Sequence, residues 1–348
     1  MDQKLLSIIV PSYNMEAYLS QNLDSLLIGG EAQALLDVIV VNDGSTDRTA
    51  EIAQTYVRRF PDSVRLLSKP NGHYGSCVNA GLAVARGTYV RVLDGDDSMD
   101  KAIFAHYVQW LAEEDARGGS VDMVVSDWVK VNPDGVPFET RHYGFPEGRC
   151  TIFDVGRTDL FVGGLAYRTA LLREMHYRQT EGCAYTDNEW VNLPLAFVET
   201  VLYFPQNVMR YLIGREGQSV APRILERGVP TILAIILGCL TFYQQVKDKL
   251  PAARATLFQE RMGWLVVAGY SRCILGVQGR IPKCDLRPFD RAVRDFGEGM
   301  EAFTDSQWVP YSLFGARRKL RYIRLWRKRQ TRKTFTFWLY DYFGRPRG

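Results

Sequence analysis

The sequence predicts an α/β protein with a Rossmann-like, mostly parallel sheet that carries helices on both faces, followed by a C-terminal α-helical region. Over residues 5–130, short apolar segments of strand type alternate with amphipathic segments of helical spacing. This alternation is typical of a doubly wound sheet. Beyond Pro222 the strand pattern stops, and the spacing predicts long helices over about 229–248, 252–278 and 285–303.

The predicted strands are apolar runs that end at proline, glycine or polar turns. In order they cover 5–10, 36–41, 64–68, 88–93 and 123–128. Helices are predicted between them, over about 16–27, from 48 to about 59, and from the glycine-rich loop 71–75 to near 86. The sequence contains neither G-x-G-x-x-G nor G-x-x-x-x-G-K-[ST], which argues against a dinucleotide site or a P-loop. Residues 130–215 are predicted to be irregular because turn signals interrupt them.

Three carboxylates follow the fourth predicted strand, at Asp94, Asp96 and Asp97. Ligands of open α/β sheets bind in the crevice at the carboxyl ends of the strands. Aspartates there repel one another unless a cation lies between them, and their hard oxygen atoms suit Mg²⁺ or Mn²⁺. The alternative is an acidic turn in which Asp97 or Ser98 caps a helix over about 99–116.

Two other acids and one arginine are candidates for the same site. Asp43 follows the second predicted strand, where a carboxylate can accept a hydrogen bond from a nucleobase imide. The alternative for Asp43 is ordinary turn and cap chemistry. Asp187 lies in the first turn of a predicted helix, where an aspartate is more often a helix cap than a catalyst. Arg215 is a permanently charged donor in the polar loop 215–219.

Charge is distributed unevenly along the 348 residues. From Arg317 onward there are 12 Lys and Arg residues against Asp341 alone, a net charge of +11, which leaves −7 for residues 1–316 out of a total of +4. The six cysteines are scattered without a C-x-x-C pair, which favours reduced thiols over a zinc site or a disulfide framework. We expect no signal peptide, and the apolar run 229–243 is shorter than the roughly 20 residues that span a bilayer.

The basic tail, residues 317–348, suggests a polyanionic partner. Its arginines and lysines flank Trp326 and the aromatic cluster 335–343. Such a composition suits an anionic membrane surface, which we favour, and predicts a cytoplasmic protein held peripherally on the inner face of the cell membrane. Nucleic acid is the competing polyanion but is not the expected partner. A third alternative is packing of the tail on the acidic body.

Together these segments resemble the family 2 glycosyltransferases, which are inverting enzymes of the GT-A fold. The resemblance extends from Leu6 to about Val220, most of a first domain predicted at 1–221. Four motifs occur in the family's order: the opening strand 7–14, the nucleotide turn 40–47, the N-x-G … A-x-G-x-Y run from Asn71 to Tyr89, and the metal motif 94–97. The other predicted divisions are a helical region, 222–316, and the tail.

The resemblance implies roles for individual residues. Asp187 would be the catalytic base, and Asp94 and Asp96 would hold Mn²⁺ or Mg²⁺. The nucleotide sugar would be bound by Pro11, Tyr13, Asn14, Asp43, Asn71, Gly75, Asn79, Asp94, Gly95, Arg215 and Gln218. The sequence departs from the family pattern at Asn42, Val78 and Thr186, where relatives often carry aspartate, arginine and glutamate respectively.

The implied activity is transfer of a sugar from a nucleotide-diphosphate sugar, such as a UDP-sugar, to a hydroxyl of a saccharide or lipid-linked acceptor. We expect this in bacterial-type cell-surface polysaccharide synthesis. Asp154 and Asp159 rank below Asp187 as candidate bases. Two alternatives from other classes remain, namely a phosphatase of the haloacid-dehalogenase type with Asp94 as nucleophile, and a non-catalytic scaffold bound to membranes.

Overall fold

The computed structural model describes residues 4–274, 286–296, 300, 308–311 and 316–319, and of 274, 308–311 and 316–319 the backbone only. The chain divides into two compact units. The first contains residues 1–218 and 248–258, and the second contains 219–247 and 259–348.

The first unit begins with the predicted alternation of strands and helices. Its elements up to residue 131 are β1 (Leu6–Ser12), α1 (Leu19–Leu26), α2 (Gly30–Ala34), β2 (Leu36–Asp43), α3 (Thr49–Arg59), β3 (Val64–Lys69), α4 (His73–Val84), β4 (Tyr89–Val92), β5 (Ser98–Met99), α5 (Lys101–Gly118) and β6 (Met123–Val131). Neither Asp97 nor Ser98 caps α5. That cap is Asp100, whose side chain accepts from the Ile103 amide at 3.2 Å, because the chain first forms the short strand β5.

The prediction that residues 130–215 are irregular is wrong. They contain β7 (Pro137–Arg141), β8 (Gly148–Thr151), α6 (Ile152–Val155), β9 (Leu165–Arg168), α7 (Thr169–Glu174), α8 (Asp187–Asn192) and β10 (Thr200–Leu212). The 13-residue strand β10 is hidden in the sequence because Pro205, Gln206 and Asn207 interrupt its apolar pattern. The structure accommodates them with register shifts around Asn207 where β10 pairs with β6.

The sheet has the strand order β3-β2-β1-β4-β9-β6-β10-β5. Strands β3, β2, β1 and β4 are parallel neighbours, and β10 is parallel to β6. Strand β9 runs antiparallel between β4 and β6. The Rossmann-like, mostly parallel sheet with a helical C-terminal region is therefore confirmed, and it is a GT-A-like fold. The carboxyl ends of β1, β2 and β4 lie side by side at one edge.

The opposite edge is held by an ion network around the buried Asp37. Its carboxylate accepts from Arg65, Arg86 and the Ser7 hydroxyl at 2.7 to 3.2 Å. Burial raises the pKa of Asp37, but these hydrogen bonds outweigh that effect and leave it below its ordinary value. The network joins the starts of β1, β2 and β3 to the residues before β4.

In the second unit, the predicted helices appear with shifted bounds. They are α9 (Pro222–Val246), α10 (Ala252–Ile274), which begins in the first unit, and α11 (Arg287–Asp295). Helix α10 packs closely on α9, since a Cβ at Gly269 would lie 3.1 Å from Leu233 and Ile236. The Tyr270 hydroxyl donates to Asp290 of α11 at 2.7 Å.

The chain described beyond α11 includes a short antiparallel hairpin of β11 (Trp308–Tyr311) and β12 (Ala316–Lys319). The tail of residues 317–348 otherwise lies outside the described residues. Within the described chain, one helical stretch, Pro222–Lys249, is long and apolar enough to cross a membrane. This stretch is longer than the apolar run 229–243 that the sequence indicated. Core helices of soluble proteins often have the same length and composition.

Candidate active site

The turn after β4 brings three carboxylates together. Oxygen atoms of Asp94, Asp96 and Asp97 all lie within 4.8 Å of one another. The Asn22 side chain fixes this turn by donating to the Asp94 carbonyl at 3.0 Å and to the Asp97 carbonyl at 2.9 Å. Gly95 is packed so tightly that a Cβ there would lie 3.0 Å from the Pro11 carbonyl oxygen. The backbone therefore forces the carboxylates into one cluster at the end of β1 and β4.

Burial and the repulsion between neighbouring carboxylates favour the neutral forms of Asp94 and Asp97. Burial raises the pKa of Asp94 to about 7, Asp96 adds to the effect, and an interaction with Tyr74 opposes it. Burial and the charges of Asp96 and Asp94 raise the pKa of Asp97 well above its usual value. A divalent cation would relieve this repulsion, and the all-oxygen donor set fits Mg²⁺ or Mn²⁺. The residues present therefore fit the metal that the motif implies.

Asp97 differs from the two predicted ligands, Asp94 and Asp96, because its side chain also has a structural contact. Its side chain accepts from the Leu212 amide at 2.8 Å, at the end of β10. This bond ties the acidic turn to the strand that leads into the loop 213–218. Asp94 and Asp96 are partly exposed, whereas Asp97 is buried. The structure thus brings the predicted ligands together and gives Asp97 an anchoring contact.

The loop 213–218 carries Arg215 to the acidic cluster, where its guanidinium forms an ion pair with Asp96. Gln218 is buried and holds the loop closed. Its amide accepts from the Gly214 amide at 3.0 Å and donates to the Leu212 carbonyl at 2.6 Å. The sequence placed both residues on the nucleotide sugar. In the structure Arg215 contacts the metal motif, and Gln218 supports the loop.

Asp43 lies at the end of β2, and its Oδ1 atom accepts from Lys69 and from the Gly72 amide at 2.5 and 2.9 Å. Lys69 was not predicted as a site residue, although it ends β3 opposite Asp43 in the sheet register. Asn42, which departs from the family pattern, accepts from the Ser45 amide at 3.1 Å. Asn42 therefore keeps the turn-forming contact of a short polar side chain.

The loop after β1 lies against the turn after β2. Asn14 adopts a positive φ of 54°, and its side-chain oxygen accepts from the Thr46 backbone amide at 2.9 Å. The Asn14 backbone amide donates to the Ser45 hydroxyl at 3.1 Å. Pro11 pairs with Val41 in the sheet, and Tyr13 is 47% exposed. These contacts place the predicted residues 11–14 beside the nucleotide turn.

Of the three residues predicted to bind the nucleotide sugar in the glycine-rich loop and α4, one is exposed and two face the segment 179–181. Asn71 is exposed at the start, where it accepts from the His73 amide at 3.3 Å. Gly75 instead faces the segment 179–181, and a Cβ there would lie 2.0 Å from the Thr180 carbonyl oxygen. Asn79 contacts the same segment, exchanging hydrogen bonds with the Gln179 backbone at 2.8 Å. Gly75 and Asn79 therefore hold the segment that leads to α8.

Asp187 is the first residue of α8. The buried Glu189, two residues on, accepts from the amide and hydroxyl of Thr180 at 2.7 and 2.6 Å. Asp187 therefore begins a helix that is fastened, through the segment 179–181, to α4. Of the lower-ranked acids, Asp154 accepts from the amide and hydroxyl of Thr151, the N-cap of α6, and Asp159 is exposed.

The charges of Asp187 and of the metal motif act on the same side chain, that of Tyr211. Burial is the largest cause of the raised pKa of Tyr211, and the charges of Asp97, Asp94, Asp96 and Asp187 add to it. The Tyr74 hydroxyl is also buried, without a partner of ordinary hydrogen-bond geometry among the described residues. Burial, Asp94 and Asp187 all raise its pKa. Neither tyrosine was predicted, because aromatic residues in such segments ordinarily indicate core.

The family model for Glycosyl transferase family 2 matches residues 7–172. Over 130 residues the chain is 39% identical to the uncharacterized glycosyltransferase EpsJ of Bacillus subtilis (strain 168), a match that covers 37% of this chain and 36% of that protein. Over 172 residues it is 30% identical to the poly(ribitol-phosphate) beta-N-acetylglucosaminyltransferase TarS of Staphylococcus aureus, which covers 48% of this chain and 28% of TarS. The chain thus spans only a minor part of each relative.

The fold is similar to the crystal structure of S. aureus TarS 1-349 in complex with UDP-GlcNAc. The TM-score is 0.64 with 21% identity, and the match covers 87% of this chain and 84% of that chain. The family match includes the nucleotide turn and the acidic cluster, and it ends before Asp187 and Arg215. On its motifs, the segment 7–172 belongs to the family 2 glycosyltransferases, and the fold that contains it is shared with TarS.

Proposed function

We propose that this chain is an inverting glycosyltransferase. It moves a sugar from a nucleotide-diphosphate sugar, in the first instance a UDP-sugar, to a hydroxyl of a saccharide or lipid-linked acceptor in cell-surface polysaccharide synthesis. The observation that carries the proposal is the grouping of Asp94, Asp96 and Asp97 at the carboxyl edge of the sheet. The charge of Asp187 acts on the same tyrosine as these three acids, since all four raise the pKa of Tyr211. The names of TarS and its UDP-GlcNAc complex support this donor and acceptor class.

The nucleotide would bind across the ends of β1 and β2. The contacts of Asp43 with Lys69 and Gly72 both use Oδ1, so its carboxylate is held in one orientation. A carboxylate so fixed can accept from the imide of a uracil base. Tyr13, Asn14 and Asn71 lie on the loops around this turn, where they can contact the base and ribose.

The diphosphate would lie at the acidic cluster, where Asp94 and Asp96 would hold Mn²⁺ or Mg²⁺. When bound, such a cation offsets the charge that develops on the departing diphosphate. Arg215 can add a bidentate hydrogen bond to a phosphate group, because its planar guanidinium matches phosphate oxygens. Gln218 and the tight packing at Gly95 keep these groups in place.

Asp187 would act on the acceptor. The acceptor oxygen attacks the anomeric carbon while the bond from that carbon to the diphosphate breaks, and Asp187 takes the hydroxyl proton. Asp187 comes from a different segment than the metal motif, so it can face the side of the sugar opposite the leaving group. A single displacement of this kind inverts the anomeric configuration. The family match favours this reaction over the phosphatase alternative.

Metal-dependent nucleotide binding tests the proposal. In Asp96→Ala, the effect of Mn²⁺ on UDP affinity should be lost, because one of the two proposed ligands is removed. Calorimetric titration of UDP with and without Mn²⁺ measures this effect, and circular dichroism checks the fold. The control is Asp62→Ala, which removes an exposed acid in the turn between α3 and β3 and should behave as wild type. A folded Asp96→Ala protein with unchanged Mn²⁺-dependent affinity would contradict the proposed metal site.

A further inference from the structure

Arg215 and a divalent cation require the same carboxylate. The Nε atom of Arg215 contacts Oδ2 of Asp96, which is one of the two proposed metal ligands. Both side chains are largely buried, with 17% exposure for Arg215 and 8% for Asp96. The guanidinium carbon also lies 5.7 Å from the centre of the Tyr18 ring. This is a well-packed ion pair, unlike the flexible pairs found on an open surface.

The loop 213–218 presents Arg215 as part of a folded unit. Gly214 and Gly217 both have positive φ angles, of 103° and 73°, which favour glycine at the two bends. Directly after the second bend, the Gln218 side chain bonds to both Gly214 and Leu212. The Leu212 amide in turn donates to Asp97. The position of Arg215 is therefore set by the hydrogen bonds that the Gln218 and Asp97 side chains make to the main chain before it.

Resting on the proposed function, we propose that Arg215 and the divalent cation exclude each other at Asp96, and that the nucleotide relieves this exclusion by drawing Arg215 onto its phosphates. Arg215 would thus couple nucleotide binding to cation binding. A guanidinium and a divalent cation on one carboxylate repel each other in a largely buried site. A diphosphate offers Arg215 a bidentate partner of higher charge than Asp96.

This coupling has a measurable consequence that is reciprocal. Without nucleotide, a cation must displace Arg215 from Asp96 and binds more weakly for that reason. With nucleotide, Arg215 has another partner, and the cation binds without that competition. Whatever factor the nucleotide adds to cation affinity, the cation adds to nucleotide affinity, and factors of about 5–150 are typical. The part of this factor that depends on Arg215 disappears when its charge and hydrogen bonds are removed.

The test is the affinity for Mn²⁺ alone, measured from the electron paramagnetic resonance signal of free Mn²⁺ with the full-length protein. Arg215→Met keeps a long side chain and removes the charge, so it should bind Mn²⁺ at least about 5-fold more tightly than wild type. Added UDP should then increase its Mn²⁺ affinity less than it does in wild type. Arg48→Met, which removes an exposed arginine paired with Glu16, controls for the loss of one positive charge.

A second variant separates exclusion from a simple change in local charge. Gln218→Ala keeps Arg215 but removes the two contacts that hold the loop, so its affinity for Mn²⁺ alone should also rise. Unchanged or weaker Mn²⁺ binding in Arg215→Met would overturn the exclusion and make Arg215 a support for the ligand Asp96. A gain in Arg215→Met without one in Gln218→Ala would assign the effect to charge alone and also overturn it. Equal Mn²⁺ binding by wild type and Asp96→Ala would instead refute the proposed metal site itself.

Discussion

Asp187 and Asp94 are carboxylates of one site that are proposed for different tasks. Asp94 lies in a group of three acids, where burial and Asp96 raise its pKa to about 7. Asp187 comes from the start of α8, apart from that group in sequence. Enzymes commonly assign different roles to neighbouring carboxylates through such differences in environment. The clustered acids, Asp94 among them, are suited to binding a cation. Asp187, which is not part of that cluster, is suited to accepting a proton.

Replacement of Asp187 by asparagine tests its role as base. Asp187→Asn keeps the size of the side chain and removes its basicity, so sugar transfer should fall by about 10²–10⁴-fold. Donor affinity should change little, because the proposed nucleotide contacts lie on other segments. Transfer rates and UDP affinity measured on the same preparation separate the two effects. Asp154→Asn, at the exposed cap of α6, should retain transfer. Near-normal transfer by Asp187→Asn would mean that another group takes the proton.

At the scale of elements, the site depends on the fastening of the segment 179–181 to α4. Gly75 allows the Thr180 carbonyl to approach α4, Asn79 bonds to Gln179, and Glu189 bonds to Thr180. None of these contacts reaches the nucleotide turn. Their common effect is to set the position of α8, and therefore of Asp187, relative to the glycine-rich loop.

Gly75→Ala should disturb this fastening. The new Cβ would lie 2.0 Å from a backbone oxygen, so the segment 179–181 must move away from α4. We expect transfer to fall by at least about 10²-fold, because small misplacements of catalytic groups have effects of that size. Comparison of transfer rates with UDP affinity should show that donor binding is affected much less.

Gly118→Ala provides the matched control. The three atoms nearest to a Cβ at Gly118 would all belong to the guanidinium of Arg149, the far end of a long side chain that can move aside. Its transfer rate should stay close to wild type. Equal losses in the two variants, or loss of UDP binding together with transfer in Gly75→Ala, would contradict a specific role for this segment.

The whole molecule combines a body of net charge −7 with a tail of net charge +11. Each lysine or arginine near an anionic leaflet contributes on the order of 1 kcal/mol. Even half of the 12 basic residues would therefore give useful affinity for a membrane. The aromatic residues of the tail would add an apolar contribution.

We expect residues 317–348 to hold the protein on anionic membranes. Full-length protein should co-sediment with vesicles that contain phosphatidylglycerol, and less with neutral vesicles, whereas a 1–316 truncation should stay in solution. Because the attraction is electrostatic, added salt should weaken it. Equal sedimentation of both proteins, or no preference for the anionic lipid, would indicate instead that the tail packs on the acidic body.

Local sequence patterns were sufficient to predict β1 to β4, β6 and the helical region, because apolar runs and helical spacing are properties of short segments. The two-residue strand β5 was not predicted, since Met99 was assigned to the following helix. The patterns also indicated Asp43, Asp94 and Asp96, which follow strands directly. The strand β10 was missed because its core is interrupted by Pro205, Gln206 and Asn207. The contacts of Lys69, Tyr74 and Arg215 could not be predicted either, since each depends on how distant segments meet. Periodicity contains no information of that kind.

The ion network around the buried Asp37 also limits how this sequence can change in evolution. If Arg65 or Arg86 alone is lost, the buried Asp37 carboxylate loses part of the positive charge that compensates it, which is unfavourable. Joint replacement of the set by apolar residues of similar volume can be neutral. A neutral change of this arrangement therefore requires coordinated substitutions. Substitutions at the starts of the four strands β1 to β4 are therefore coupled to one another, at the edge of the sheet that lies opposite the acidic cluster.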